Sequence, residues 1–177
     1  MYIAIDSNAC VLSPNGTLTV GSNAQLVVNY PLVTTGQVTF APSSLLTHDK
    51  NTTKALYRVD LTIQGGLTID AGASADVSGL GYRHHYNPYG SYSPFGSAYG
   101  SGGSHGGRGG NSKVDIDVEA RPTYGSARAP TTIGAGGYGQ TSPYGVDGGG
   151  AIRLNVSGAM LLDGEILSDG LASTTSL

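Results

Sequence analysis

The chain has one cysteine, Cys10, which excludes a disulfide framework and a cysteine-based zinc site within it. Charged residues make up only 12% of its 177 positions, about half the share of an ordinary soluble domain. With a net charge of -3 there is no basic face for nucleic acid, and the acidic residues form no tail. Hydrophobic residues, at 38%, also fall below the usual range. No apolar run approaches the roughly 18 residues of a membrane-spanning helix, so no membrane insertion is expected. Helical periodicity is missing too: apolar residues at i, i+3, i+4 and i+7 are nowhere sustained, and glycine or β-branched residues interrupt every candidate. The start, Met1-Tyr-Ile-Ala-Ile-Asp6, lacks the basic region and apolar core of a secretory leader. A mature form or a piece of a longer protein fits this best, a cytosolic protein being the alternative.

What is present is β-type alternation that repeats. From Thr17 to Val28, apolar and small polar residues alternate around a Gly-Ser-Asn turn, which reads as strand, turn, strand. Shifted by 49 positions the pattern returns: Leu18-Thr-Val20 matches Leu67-Thr-Ile69, Ala24 matches Ala73 and Val28 matches Val77. A third version begins at Met160, and Ile152-Arg-Leu-Asn-Val-Ser-Gly158 lies 93 positions after Val59-Asp-Leu-Thr-Ile-Gln-Gly65. Val33 to Phe40 reads as a further strand pair. A unit of two strands of about five residues cannot bury its own apolar face, and stacking such units does. The expected fold is all-β, a parallel β-helix or β-solenoid with essentially no helix, forming a single domain.

Glycine and tyrosine are concentrated in one place. Ser78 to Gly150 holds 20 of the 29 glycines and 8 of the 11 tyrosines, an insertion between comparable rungs. Within the loop region at about 79–150, Lys113-Val-Asp-Ile-Asp-Val-Glu119 reads as a strand that divides it in two. Tyrosine spaced among Gly, Ser and Pro favours loops packed on themselves over disordered ones, since each ring covers backbone and each hydroxyl can reach a carbonyl.

Four stretches resemble a known family: Ile69 to Tyr82, Gly103-Ser-His-Gly-Gly-Arg-Gly-Gly110, Tyr124-Gly through Ala129 to Gly137, and Gly148-Gly-Gly-Ala-Ile-Arg-Leu-Asn-Val-Ser-Gly158 with its continuation to Gly170. Together they cover about Val59 to Leu171. They are similar to the glycine-rich β-helix repeats of very large secreted or surface proteins of bacteria and unicellular eukaryotes. The resemblance implies a structural or adhesive module and carries over no reaction. The longer, tyrosine-rich Tyr82 to Tyr99 segment departs from it.

Several side chains could carry chemistry, and each also has a simpler role. Asp115, Asp117 and Glu119 share one strand face with Arg121 following, a spacing open to a polysaccharide-active enzyme, although a solvated strand face is the commonest explanation of such a run. His84, His85 and His105 offer imidazoles for zinc or copper, yet adjacent residues of an extended chain point in opposite directions. Asp70 and Asp163 hold equivalent turn positions, suited to Asx-type stabilisation or to calcium. Asn15, Asn51 and Asn155 head glycosylation sequons, which point to an extracellular or cell-surface location. The expected function is a non-enzymatic structural module contacting itself or neighbouring repeats. The alternatives are a carbohydrate-binding adhesin module contacting cell-surface or matrix glycans and a polysaccharide-active β-helix enzyme. Tyr82, Tyr86, Tyr89, Tyr92, Tyr99 and Arg108 are the candidate contact residues, with no catalytic or metal residue assigned.

Overall fold

Short apolar alternations broken by Gly, Asn, Ser and Pro yield short strands and tight turns. The computed structural model describes residues 2–5, 10–12, 16–84, 86–87, 90–91, 103–107, 122–137 and 145–171. Among them there is no helix. The chain divides into two compact units: Met1–Asp49, Tyr57–Asp76 and Ile152–Leu167 form unit 1, and Lys50–Leu56, Val77–Ala151 and Ser168–Leu177 form unit 2.

Unit 1 is a succession of coils. It opens with β1 (Tyr2–Ile5), followed by a first coil of β2 (Cys10–Leu12), β3 (Leu18–Val20) and β4 (Gln25–Val28). The second coil is β5 (Leu32–Thr34), β6 (Val38–Phe40) and β7 (Leu45–Thr47), and the third is β8 (Val59–Ile63), β9 (Leu67–Ile69) and β10 (Ser74–Asp76). In unit 2, β11 (Tyr86–Asn87) and β12 (Gly90–Ser91) form an antiparallel pair. The chain then returns to unit 1 as β13 (Ile152–Val156), β14 (Met160–Leu162) and β15 (Glu165–Leu167). Equivalent strands of successive coils pair in parallel, giving sheet A (β1-β4-β7-β10-β15), sheet B (β2-β5-β8-β13) and sheet C (β3-β6-β9-β14) among the described residues. Three parallel sheets fed by one chain in a fixed cyclic order are compatible with a β-solenoid.

The expected repeat of two strands is three in the structure, because a sheet B strand of three or five residues completes each coil. The shift of 49 spans two coils, Leu18 pairing with Val38 and Val38 with Leu67. The shift of 93 is a direct pairing, Ile152 on Val59 and Met160 on Leu67.

Pairing in register lines up side chains of one kind. Val20, Phe40 and Ile69 make one buried column, Leu26, Leu46 and Ala75 another, and Leu32 and Leu61 a third. Each fully buried Leu, Ile or Phe contributes about 1.5–3 kcal/mol. On the other face of sheet C stand Thr19, Thr39 and Thr68, the last accepting a hydrogen bond from Gln37 Nε2 at 3.3 Å.

The corner between sheets C and A is a tight turn used three times. Ala24 N–H bonds Gly21 O, Ser44 N–H bonds Ala41 O, and Ala73 N–H bonds Asp70 O, at 2.9–3.0 Å. The third turn residue is left-handed in each: Asn23 at φ 59°, Ser43 at 63° and Gly72 at 81°. This is the type II requirement, and Pro42 sits where that turn favours proline. At the other inner corner Gly36, Gly65 and Gly158 stack so closely that a Cβ on Gly65 would lie 2.4 Å from Gly36 O.

At the corner leaving sheet A, polar groups are buried and paired. Asn29 Nδ2 donates to Asp49 Oδ2 and Asp49 N–H donates to Asn29 Oδ1, both at 2.8 Å. His48 is buried beside them, its Nδ1 2.7 Å from Asp49 O. A carbonyl only accepts, so that nitrogen carries the proton. Burial holds the imidazole's pKa below its ordinary value, against the raising effects of the Asp49 carbonyl and charge. Thr34 and Ser44 differ: their hydroxyl oxygens are buried without a hydrogen-bond partner.

Two outcomes follow for unit 1. Replacing Thr34 by Val removes an unpaired buried hydroxyl at nearly constant shape, so stability rises by about 1 kcal/mol. A urea midpoint that fails to increase speaks against this. His48 favours its neutral form when folded, so the unfolded chain binds more protons between the lowered pKa and 6.5, and stability falls as pH drops through that window. Denaturation between pH 7.5 and 5.5 should show the loss, and His48→Leu should flatten it.

Candidate functional site

Two arrangements in the described residues bear on function, one in each unit. In unit 1 the strands β13, β14 and β15 pair only with the coil before them among the described residues, so their outer edges present unpaired N–H and C=O groups. By register, Met160, Leu162 and Ile166 continue columns whose earlier members Leu67, Ile69 and Ala75 are no more than 1% exposed. Here they are 45%, 45% and 39% exposed. Leu161 follows Thr68 on the other face of sheet C and is 52% exposed. Nearby on sheet B, Asp60 is buried between Arg58 (3.2 Å) and Arg153 (3.4 Å).

In unit 2, three segments, 80–84, 133–137 and 145–150, bond one another in a triangle. Gly81 N–H donates to Gly148 O (2.7 Å), Gly148 N–H to Tyr82 O (2.9 Å), Tyr82 N–H to Gly134 O (3.0 Å) and Gly134 N–H to Gly149 O (2.7 Å). Backbones approach this closely only where side chains are missing. A Cβ on Gly81 would lie 2.2 Å from Gly149 O, and one on Gly148 would lie 2.3 Å from Gly134 O.

Aromatic side chains fill the space beside this triangle. Tyr82, Tyr124, Ile133 and Ala151 form the core of unit 2, with Tyr86 and Ala135 packed against them. Tyr124 meets Tyr82 edge to face at 6.4 Å between ring centroids and His105 at 5.1 Å. Its hydroxyl donates to Ile133 O at 2.8 Å, and burial raises the Tyr82 phenol above its ordinary pKa.

Asp147 ties this region together. Its Oδ1 accepts from His84 N–H at 2.7 Å and lies 3.1 Å from His84 Nδ1, and its Oδ2 is 2.5 Å from Lys50 Nζ. Burial pushes the carboxyl upward, but hydrogen bonds from Lys50 and His84 and the ammonium charge outweigh it, leaving the pKa below 3.8. An aspartate orienting an imidazole is a general-base arrangement in chemistry. With Lys50 on its second oxygen, the same carboxylate is also a strut joining three segments.

The candidate residues named from sequence separate into groups. Tyr82 is 6% exposed, which leaves its ring no open face for a ligand, and Tyr86 packs partly buried against the same cluster. Asn51 is 1% exposed. Its Nδ2 donates to Leu80 O (2.9 Å) and its Oδ1 accepts from Leu56 N–H (2.7 Å), so a glycan on it would displace a loop-fixing bond. Asn155 lies exposed on β13. His84 and His105 serve different clusters, and Asp70 and Asp163 stand at successive turns of one corner. Among the described residues no three His, Cys, Asp or Glu side chains converge on a metal position. Tyr89, Tyr92, Tyr99, Arg108, Asn15, His85, the 113–119 segment with Asp115, Asp117 and Glu119, and Arg121 lie outside the described residues.

Sequence reasoning missed Asp147. Its contact with His84 crosses 63 positions, and the only local signal was a carboxylate leading into Gly148-Gly-Gly150. The glycine triangle yields a sharp outcome: Gly148→Ala should destabilise the protein by about 2–3 kcal/mol through overpacking. Gly107→Ala, where a Cβ meets nothing within 4 Å, should be close to neutral. Equal melting points for the two variants would contradict the close-packed arrangement. No family model, no curated protein and no solved structure matches this chain.

Proposed function

We propose that this chain is a non-enzymatic structural module: a parallel β-solenoid that associates with copies of itself or with neighbouring modules in an extracellular or surface fibre or sheath. The observation that carries this reading is the last coil, where Met160 and Leu162 on β14 and Ile166 on β15, side chains of the kind buried one coil earlier, stand 39–45% exposed beside open strand edges. Such edges bond further strands readily. Glycine-rich repeats between Val59 and Leu171 support it through their resemblance to modules of large surface proteins. The sugar-platform alternative rests on loop tyrosines, and Tyr82 is spent on the core of unit 2. Asn155, exposed on the outer face of β13, is the sequon best placed to carry a glycan.

Association should be visible directly. Sedimentation velocity over a wide concentration range should show species heavier than the monomer, and they should diminish on dilution. A dispersed monomer at the highest concentration would sink the proposal.

A further inference from the structure

We infer that the β13–β14–β15 end of the stack is where two copies of this chain pair tail to tail, about a twofold axis passing through sheet C. The inference rests on the solenoid reading above and names its interface. Three features of unit 1 lead to it.

The first is the outward column of sheet C. Thr19, Thr39 and Thr68 are followed by Leu161, an apolar residue at a position that the core does not require. Natural edge strands protect themselves with charge, proline or a bulge. Met160-Leu161-Leu162 has neither charge nor proline. Apolar character on both faces of an open edge suits an edge that is covered.

The second is that the described stack has a sheet A strand at both ends. Sheet A has five strands among the described residues while sheets B and C have four, the series opening on β1 and closing on β15. Head-to-tail stacking of a second copy, β1 on β15, would leave sheets B and C apart by one strand spacing, about 4.8 Å. That gap would keep the apolar columns wet. Tail-to-tail pairing about sheet C sets β14 on β14 and β13 on the second copy's β15, so no sheet is left a strand short.

The third is charge. A twofold axis perpendicular to the stack returns one sheet edge onto itself, antiparallel, and exchanges the other two. With the axis through sheet C, β14 meets β14, apolar on apolar. The β13 edge, carrying Arg153, then meets the second copy's β15 edge, carrying Glu165. An axis through sheet A would set the apolar β14 edge against the Arg153 edge, and an axis through sheet B would set it against the Glu165 edge. Only the sheet C axis matches apolar with apolar and positive with negative.

A cysteine scan in a Cys10→Ala background tests this. Antiparallel pairing centred on Leu161 brings the two Leu161 Cα atoms to about 4.5–5.5 Å, within disulfide reach. Mild oxidation of Leu161→Cys should give a covalent dimer in high yield, and Thr68→Cys, one coil inward, should give none. Leu161→Asp should run as a monomer in sedimentation with an unchanged circular dichroism spectrum, since that side chain faces outward. Absence of the Leu161→Cys dimer, or equal cross-linking at Thr68→Cys, overturns the pairing. Assemblies of the unaltered chain that grow past two copies while Leu161→Cys fails to cross-link overturn the twofold mode and leave self-association standing. A monomer at every concentration overturns both.

Discussion

Everything in unit 1 depends on one constraint: each coil must return its backbone to the register of the coil before it, so that N–H and C=O groups meet along the stack. The inner columns, the reused turn and the glycine corner are consequences. Valine, leucine and isoleucine recur because the same position always meets the same neighbour. Residues 29–31, 48–58 and 77–151 all leave after a sheet A strand. One corner accepts extra chain because it alone need not be tight. Lengthening a loop several-fold costs only about 2 kcal/mol in closure entropy. Where the longest segment leaves and returns, Gly150 N–H bonds Val77 O at 2.8 Å, which fixes its two ends against each other within unit 2.

Glycine does opposite work in the two units. In unit 1, Gly36, Gly65 and Gly158 let corners lie directly over one another, and the strands supply the remaining order. In unit 2, the glycines at 81, 134 and 148 are themselves the packing surface, with backbone bonded to two neighbours instead of lying in a flat ladder. Apolar burial contributes there through Tyr82, Tyr124 and Ile133. Asp147 contributes a charged tie that strengthens in effect above its lowered pKa and weakens as pH falls through it.

The repeats were legible because register is periodic and periodicity survives in sequence. Leu18, Leu67 and Met160 share an inner column of sheet C, and the shift of 93 is itself a strand pairing. Val38 between them was harder to place, because the coils are unequal and a shift of 49 steps over one. Unit 2 was legible only in composition. The tyrosines looked like contact residues because loops usually sit on the surface, and Tyr82 turned inward because glycine backbone covers little unless a ring is laid against it. Asn51 fitted a sequon, but its amide is used by Leu80 and Leu56. Such bonds depend on which loops meet, and no local pattern encodes that.

Energetics also bear on how the end coil behaves. Finishing the burial of a half-exposed leucine, isoleucine or methionine is worth about 1 kcal/mol. Met160, Leu162 and Ile166 on each of two copies would together offer roughly 6 kcal/mol. Association costs an estimated 4–15 kcal/mol, so apolar burial alone brings such a pair near balance. The strand edges must supply the rest, and hydrogen bonds form only at a matched register. That is why the identity of the column matters more than its hydrophobicity. Three threonines in a row face outward on sheet C over three coils and a leucine stands at the fourth, the level at which the proposed pairing would bring two copies together.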